Sequence, residues 1–134
     1  MESLCHHKLV QILNKYVCNM DDIVSDFVSC DIFESRENPQ RMPEGFVPDL
    51  YYNYKNKVII GEAKTSLDFD KNHSIEQYRS YLKYCCLHSE DSLFVLIVPW
   101  DTYISAKRLI RKLKEEKSNF KIFIINDVGV VNEI

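Results

Sequence analysis

Apolar side chains recur along this chain at two different periods, and the switches between them mark out its elements. In residues 2–17, Leu4, Leu9, Val10, Ile12, Leu13 and Tyr16 fall near a 3.6-residue repeat, which predicts an amphipathic helix. Residues 23–33, IVSDFVSCDIF, are rich in β-branched and aromatic types and predict a strand. Val47–Tyr54 and Lys57–Lys64 flank the turn sequence YKNK and predict a hairpin. Ser74–Leu87 predicts a second helix, opened by the capping-box pattern Ser74-x-x-Gln77, with Tyr78, Leu82 and Cys85 as its buried stripe. SLFVLIVP, Ser92–Pro99, is a continuous apolar run of strand length, the pattern of a strand covered on both faces. Thr102–Lys117 predicts a third helix and Phe120–Asp127 another buried strand, with a short last strand after Gly129.

Helix, three strands, helix, strand, helix, strand is the order of an α/β layered domain. It predicts one domain over residues 1–134, with a central mixed sheet flanked by helices. The sheet is expected to be antiparallel in its first half and parallel at the βαβ units.

Composition narrows the picture only a little. The 134 residues suffice for one core, and 46% hydrophobic with 28% charged residues is ordinary for a globular domain. A net charge of −3 does not announce a nucleic-acid binder, but a local basic stripe can serve on an acidic protein. Cys5, Cys18, Cys30, Cys85 and Cys86 are odd in number and contain no CxxC, which argues against a disulfide framework and a zinc ribbon. Reduced thiols in a cytoplasmic protein are expected. No run approaches the roughly 18 apolar residues of a membrane span, and no signal peptide is visible, so no membrane partner is expected. The polar stretch ESRENPQRMPEG, Glu34–Gly45, predicts a long loop whose Arg36 and Arg41 are placed to touch a nucleic-acid backbone.

The chemistry lies in the hairpin. Alternation puts Val58, Ile60, Glu62 and Lys64 on one strand face and Ile59, Gly61 and Ala63 on the other. If the turn centres between Lys55 and Asn56, paired residues sum to 111 and Asp49 faces Glu62. If it centres between Tyr54 and Lys55, Asp49 is diagonal to Glu62 on the same face. Either register brings two carboxylates within roughly 4.5–8 Å, and an odd register separates them. Two such carboxylates repel unless one takes a proton or a cation lies between them. Asp49, Glu62 and the Ala63 carbonyl offer the oxygen ligands that Mg²⁺ or Mn²⁺ prefers, with Lys64 one step along.

Pro48-Asp49 followed by Glu62-x-Lys64 resembles the PD-(D/E)xK nuclease superfamily, and the likeness spans most of residues 1–100. The resemblance implies a restriction-endonuclease-like fold with an α-β-β-β-α-β core followed by α-β. It implies a Mg²⁺-dependent deoxyribonuclease: Asp49 and Glu62 would bind the metal, and Lys64 would help activate water. Gln77 and Tyr81 match the Gln-x-x-x-Tyr spacing that some members carry on the next helix. The small single-domain layout is similar to archaeal Holliday-junction resolvases and stand-alone VRR-NUC domains, which implies DNA as substrate and a homodimer. Many of those resolvases also use an acid on the first helix; here Glu2 stands early and His6 occupies the matching place.

Blander readings stand beside each of these. The triplet could be a solvated strand face with an ion pair, or the fold could persist as a catalytically inactive nucleic-acid- or protein-binding module. A capping box by itself accounts for Gln77, and core packing for Tyr81. Lys107, Arg108, Arg111, Lys112, Lys114 and Lys117 read as a solvated basic helix face that suits the helix dipole, with phosphate binding as the functional alternative. His6, His7 and His73 are further candidate ligands, and Asp68 and Asp70 candidate caps for the second helix.

Overall fold

The computed structural model describes residues 4–30, 42–88, 91–114 and 119–134. Its organising feature is a tight turn. Lys55 and Asn56 both adopt left-handed backbone, with φ of 48° and 66°. Two consecutive positive φ angles make the type I′ turn whose twist matches flanking strands. It joins β2 (Leu50–Tyr54) to β3 (Lys57–Ala63) and fixes the pairs Tyr54↔Lys57, Asn53↔Val58, Tyr51↔Ile60 and Leu50↔Gly61. Every pair sums to 111, so Asp49 and Glu62 come next along the ladder.

The chain runs α1 (Leu4–Cys18), a 3₁₀ turn (Ser25–Phe27), β1 (Val28–Cys30), β2, β3, α2 (Asn72–His88), β4 (Asp91–Val98), α3 (Tyr103–Leu113), β5 (Lys121–Asn126) and β6 (Val131–Glu133). The six strands lie side by side in sequence order. β1, β2 and β3 pair antiparallel, β3, β4 and β5 parallel, and β6 returns antiparallel to β5. This is the expected α/β layered fold with a mixed sheet.

Two apolar clusters share the sheet. Leu9, Val10, Leu13 and Val17 of α1 pack on Leu50, Ile59, Ala63, Val95 and Ile97 on one face. Tyr78, Tyr81, Leu82 and Cys85 of α2, with Ala106 and Ile110 of α3, pack on Val58, Ile60, Phe94, Leu96, Ile122 and Ile124 on the other. Gly61 is where α1 comes closest: a Cβ there would lie 2.9 Å from Leu13 Cδ2 and 3.1 Å from Leu50 Cβ.

Three local expectations are corrected. Of the strand expected over 23–33, only Val28–Cys30 pairs; Ser25–Phe27 forms the 3₁₀ turn, and Asp31, Ile32 and Phe33 lie outside the described residues. Phe27 stacks on Tyr54 at 4.1 Å between ring centres, so its aromatic character serves a side-chain contact instead of a ladder. The second helix starts at Asn72, which puts Ser74 inside its first turn. Ser74 Oγ donates to the Asp68 carbonyl at 2.6 Å, so no capping box forms and Gln77 is released for another partner. The third helix, expected over Thr102–Lys117, runs Tyr103–Leu113 and stops where Lys114 takes extended backbone, its N–H still bonded to the Ile110 carbonyl.

Among the described residues no helix is long and apolar enough to cross a membrane. None of the five cysteines forms a disulfide, and burial pushes the Cys85 thiol up to about 12.

Candidate metal centre

Asp49 and Glu62 meet where β2 begins and β3 ends. Both are almost completely buried, at 6% and 3% exposure. The Asp49 N–H donates to Glu62 Oε1 at 3.1 Å, and the Ala63 N–H donates to Asp49 Oδ2 at 2.9 Å. Each acid therefore satisfies a backbone donor that the finished ladder would leave bare. In a strand the N–H and C=O of one residue point to the same side. The Ala63 carbonyl therefore opens toward the edge where Asp49 sits.

Glu62 is the strained member. Burial first, and then the neighbouring Asp49 charge, hold its carboxyl well above the usual carboxylate range, against the pull of Lys64. Lys64 is mostly buried beside it, with Nζ 3.4 Å from Glu62 Oε2. The same ammonium donates to Gln77 Oε1 from α2. The helix that begins two residues earlier than its sequence suggests thus supplies the group that holds Lys64. Tyr81, one turn on, is fully buried against Phe94 and beside Gln77. Its hydroxyl makes no hydrogen bond of normal geometry among the described residues. Burial and the Glu62 and Asp49 charges push that hydroxyl's pKa far upward, so it stays a neutral phenol.

His6 joins from the opposite side of the sheet. It stands in register with the buried stripe Val10, Leu13 and Val17 of α1, and its Nε2 lies 3.2 Å from Asp49 Oδ2. A polar residue on a buried helical stripe is the sequence signal for this contact. His73 instead sits edge-on to Phe46, with 5.5 Å between ring centres. Asp68 and Asp70 fall in the segment before α2, with Asp68 paired to Lys71 at 2.9 Å. Lys107 of α3 lies over the Tyr103 ring, and Lys114 donates to the Ile134 carbonyl at 2.9 Å. Glu2, Arg36, Arg41 and Lys117 lie outside the described residues.

The residues fit a hard divalent ion in kind. Two carboxyls and a carbonyl are oxygen donors, and burial together with the Asp49 charge holds the Glu62 carboxyl above the ordinary range. Among the described residues no group of three or more His, Cys, Asp and Glu side chains is arranged to hold a metal by itself. Mg²⁺ needs no such cage, because it usually keeps several waters. No family model, curated protein or solved structure matches the chain.

Proposed function

We propose that the chain is a metal-dependent nuclease that hydrolyses DNA phosphodiester bonds, of the PD-(D/E)xK kind that its hairpin sequence resembles. One observation carries the reading. Asp49, Glu62, Lys64 and Gln77 come from three separate elements and converge at one end of the sheet, with both carboxyls buried and Glu62 reluctant to ionise.

Mg²⁺ or Mn²⁺ held by Asp49, Glu62 and the Ala63 carbonyl would polarise a phosphodiester and lower the pKa of a water beside it. The chain's own groups supply the rest. Glu62, held above the ordinary carboxylate range by burial and the Asp49 charge, would give up its proton to solvent on taking part in such a site. His6 and the Ala63 N–H fix the Asp49 carboxylate, the kind of outer support that sets ligand orientation. Lys64 is held by Glu62 and Gln77 so that its ammonium can face the negative charge growing on the reacting phosphate. A single domain of this size has little surface with which to grip a duplex, so the reading includes a homodimer.

A second reading has its own support. Asp49 and Glu62 each accept from a backbone N–H, so a catalytically inactive restriction-fold module, binding nucleic acid or protein, could keep the pair for shape alone. Calorimetry with Mn²⁺ on wild type and Asp49→Asn separates the two. Uptake lost in the variant supports the enzyme; no uptake in either protein supports the module. Mn²⁺-dependent cleavage of linear, single-stranded and four-way-junction DNA, with Glu62→Ala as control, then tests the activity. Cleavage that survives Glu62→Ala would rule this site out.

A further inference from the structure

We infer that the chain pairs with a second copy of itself, the acidic turn before β1 of each copy seating in the basic groove between α2 and α3 of the other. The inference stands apart from the metal chemistry, because no residue of either surface belongs to the hairpin centre.

The second half of α2 and the end of α3 leave between them a cavity of about 420 Å³, within the roughly 300–1,000 Å³ of sites that take a ligand. Leu82, Leu113 and Phe120 make its apolar floor, and Arg79, Lys83 and Lys114 its rim. Leu87 lines it as well and is 70% exposed, so the apolar surface runs out to the rim. Arg79, Lys83 and Leu87 follow at i, i+4 and i+8, one helix face about 12 Å long. Among the described residues no carboxylate lines the cavity and Arg79 has no ion pair. Lys83 Nζ stands 3.9 Å from Glu44 Oε1, and Glu76 is the other acid close by. Behind the rim, α3 adds Lys107, Arg108, Arg111 and Lys112 without an acid. An apolar floor under a cationic rim selects an occupant that is both apolar and acidic.

The chain carries that occupant. Residues 19–27, NMDDIVSDF, hold three acids and no cation. Asp22 is bound to Lys57, while Asp21 and Asp26 are exposed, and with them Val24 at 41% and Phe27 at 49%. The turn is already rigid. The Phe27 N–H donates to the Val24 carbonyl at 3.0 Å, the Val24 N–H donates to the Tyr52 hydroxyl at 3.4 Å, and Phe27 stacks on Tyr54. A preformed aromatic flanked by acids loses little freedom on docking.

Placement excludes a contact within one chain. The turn packs with the α1 cluster through Ile23 and Val28, the groove with the α2–α3 cluster, and the sheet lies between. Both stand at one end of that sheet: Tyr54 pairs with Lys57, Lys57 pairs with Asp91, and β5 begins just after Phe120. One two-fold axis at that end gives both contacts at once and closes the assembly as a dimer. Both hairpin centres, at the opposite end of β3, stay uncovered.

Sedimentation equilibrium of the full chain reads the association, with melting temperature as the check on folding. A dimer is expected that weakens as NaCl rises, because the ion pairs at the rim are screened. Phe27→Ala should weaken it about 30-fold or more, the loss of an aromatic anchor. A turn variant, Asp21→Lys with Asp26→Lys, and a groove variant, Arg79→Glu with Lys83→Glu, change only exposed positions and should stay folded. Each should lose about 10-fold or more in dimer affinity. Mixed one to one they should associate again, since one contact is then native and the other has its charges exchanged. A wild type that stays monomeric overturns the inference, as does a mixture no tighter than its parts. Thymidine dodecamer bound by monomeric wild type and lost in the groove variant would give the groove to nucleic acid instead. Mn²⁺ calorimetry on the same samples keeps the readings apart. A dimer without metal uptake defeats the nuclease and spares the interface; uptake by a monomer does the reverse.

Discussion

Strand β3 carries a lysine ion pair at each end, and the two ends differ in what water can do. At the turn end, Lys57 pairs with Asp22 at 2.9 Å and Asp91 at 3.8 Å, and both acids are about two-thirds exposed. Lys57 lowers the Asp22 pKa chiefly through a side-chain hydrogen bond, a comfortable arrangement that water screens and that contributes little. At the other end, Lys64 pairs with Glu62, whose side chain is 3% exposed. There burial and a second carboxyl outweigh the lysine, and Glu62 moves the other way, above the ordinary range. The same residue types thus make a solvated ornament at one end and a costly cluster at the other. A buried like-charge pair is poor evidence of stability and marks a candidate functional site.

The largest predicted contrast is in the chemistry. Glu62→Ala should abolish Mn²⁺ uptake and lower cleavage by about 10³-fold or more, the scale of losing a metal's electrostatic stabilisation. Calorimetry and single-turnover cleavage measure both. Lys64→Ala should lower cleavage by about 10²- to 10³-fold while metal and DNA affinity stay near wild type, since the lysine faces charge that appears only during reaction. Gln77→Ala acts through Lys64 and should cost about 10- to 100-fold. Equal metal binding by wild type and Glu62→Ala would dissolve the contrast between the two ends.

The pH behaviour sharpens it. Glu62 has its folded pKa raised above the ordinary 4.5, so between that value and the raised one the native state keeps a proton that the unfolded chain has lost. Stability of the metal-free protein therefore falls as pH rises through that window, and Glu62→Gln should flatten the slope in urea melts at several pH values. Metal uptake should release a proton and strengthen with pH over the same range. Gly61→Ala tests the α1 face. Its new methyl meets Leu13 and Leu50, and a loss of about 1–3 kcal/mol in urea unfolding is expected. Lys57→Ala should leave melting temperature and cleavage unchanged, the smallest effect of the set.

Much of the fold was legible because its strands speak plainly. Ser92–Val98 and Ile122–Ile125 are near-continuous apolar runs, and both prove to be central strands covered on two faces. Residues 23–27 misled because Val and Phe favour strands only where a neighbour offers a ladder; Val24 and Phe27 remain exposed. The Ser74-x-x-Gln77 pattern misled because a cap is defined by where the helix begins, and Thr65–Lys71 winds into turns that start it at Asn72.

The sequence by itself determined the alternation that sets Glu62 and Lys64 on one strand face, because side-chain direction in a strand has a period of two whatever surrounds it. It left the hairpin register open, with two registers that place Asp49 near Glu62 and odd ones that part them. Only the tertiary structure decided between them, through left-handed backbone at Lys55 and Asn56. It alone drew His6 to Asp49 and Gln77 to Lys64, since those contacts join elements far apart in the chain. Burial was its decision as well. Helices closing over both faces strip water from the two carboxyls, and that desolvation turns a common trio of residues into a buried cluster whose Glu62 resists ionisation.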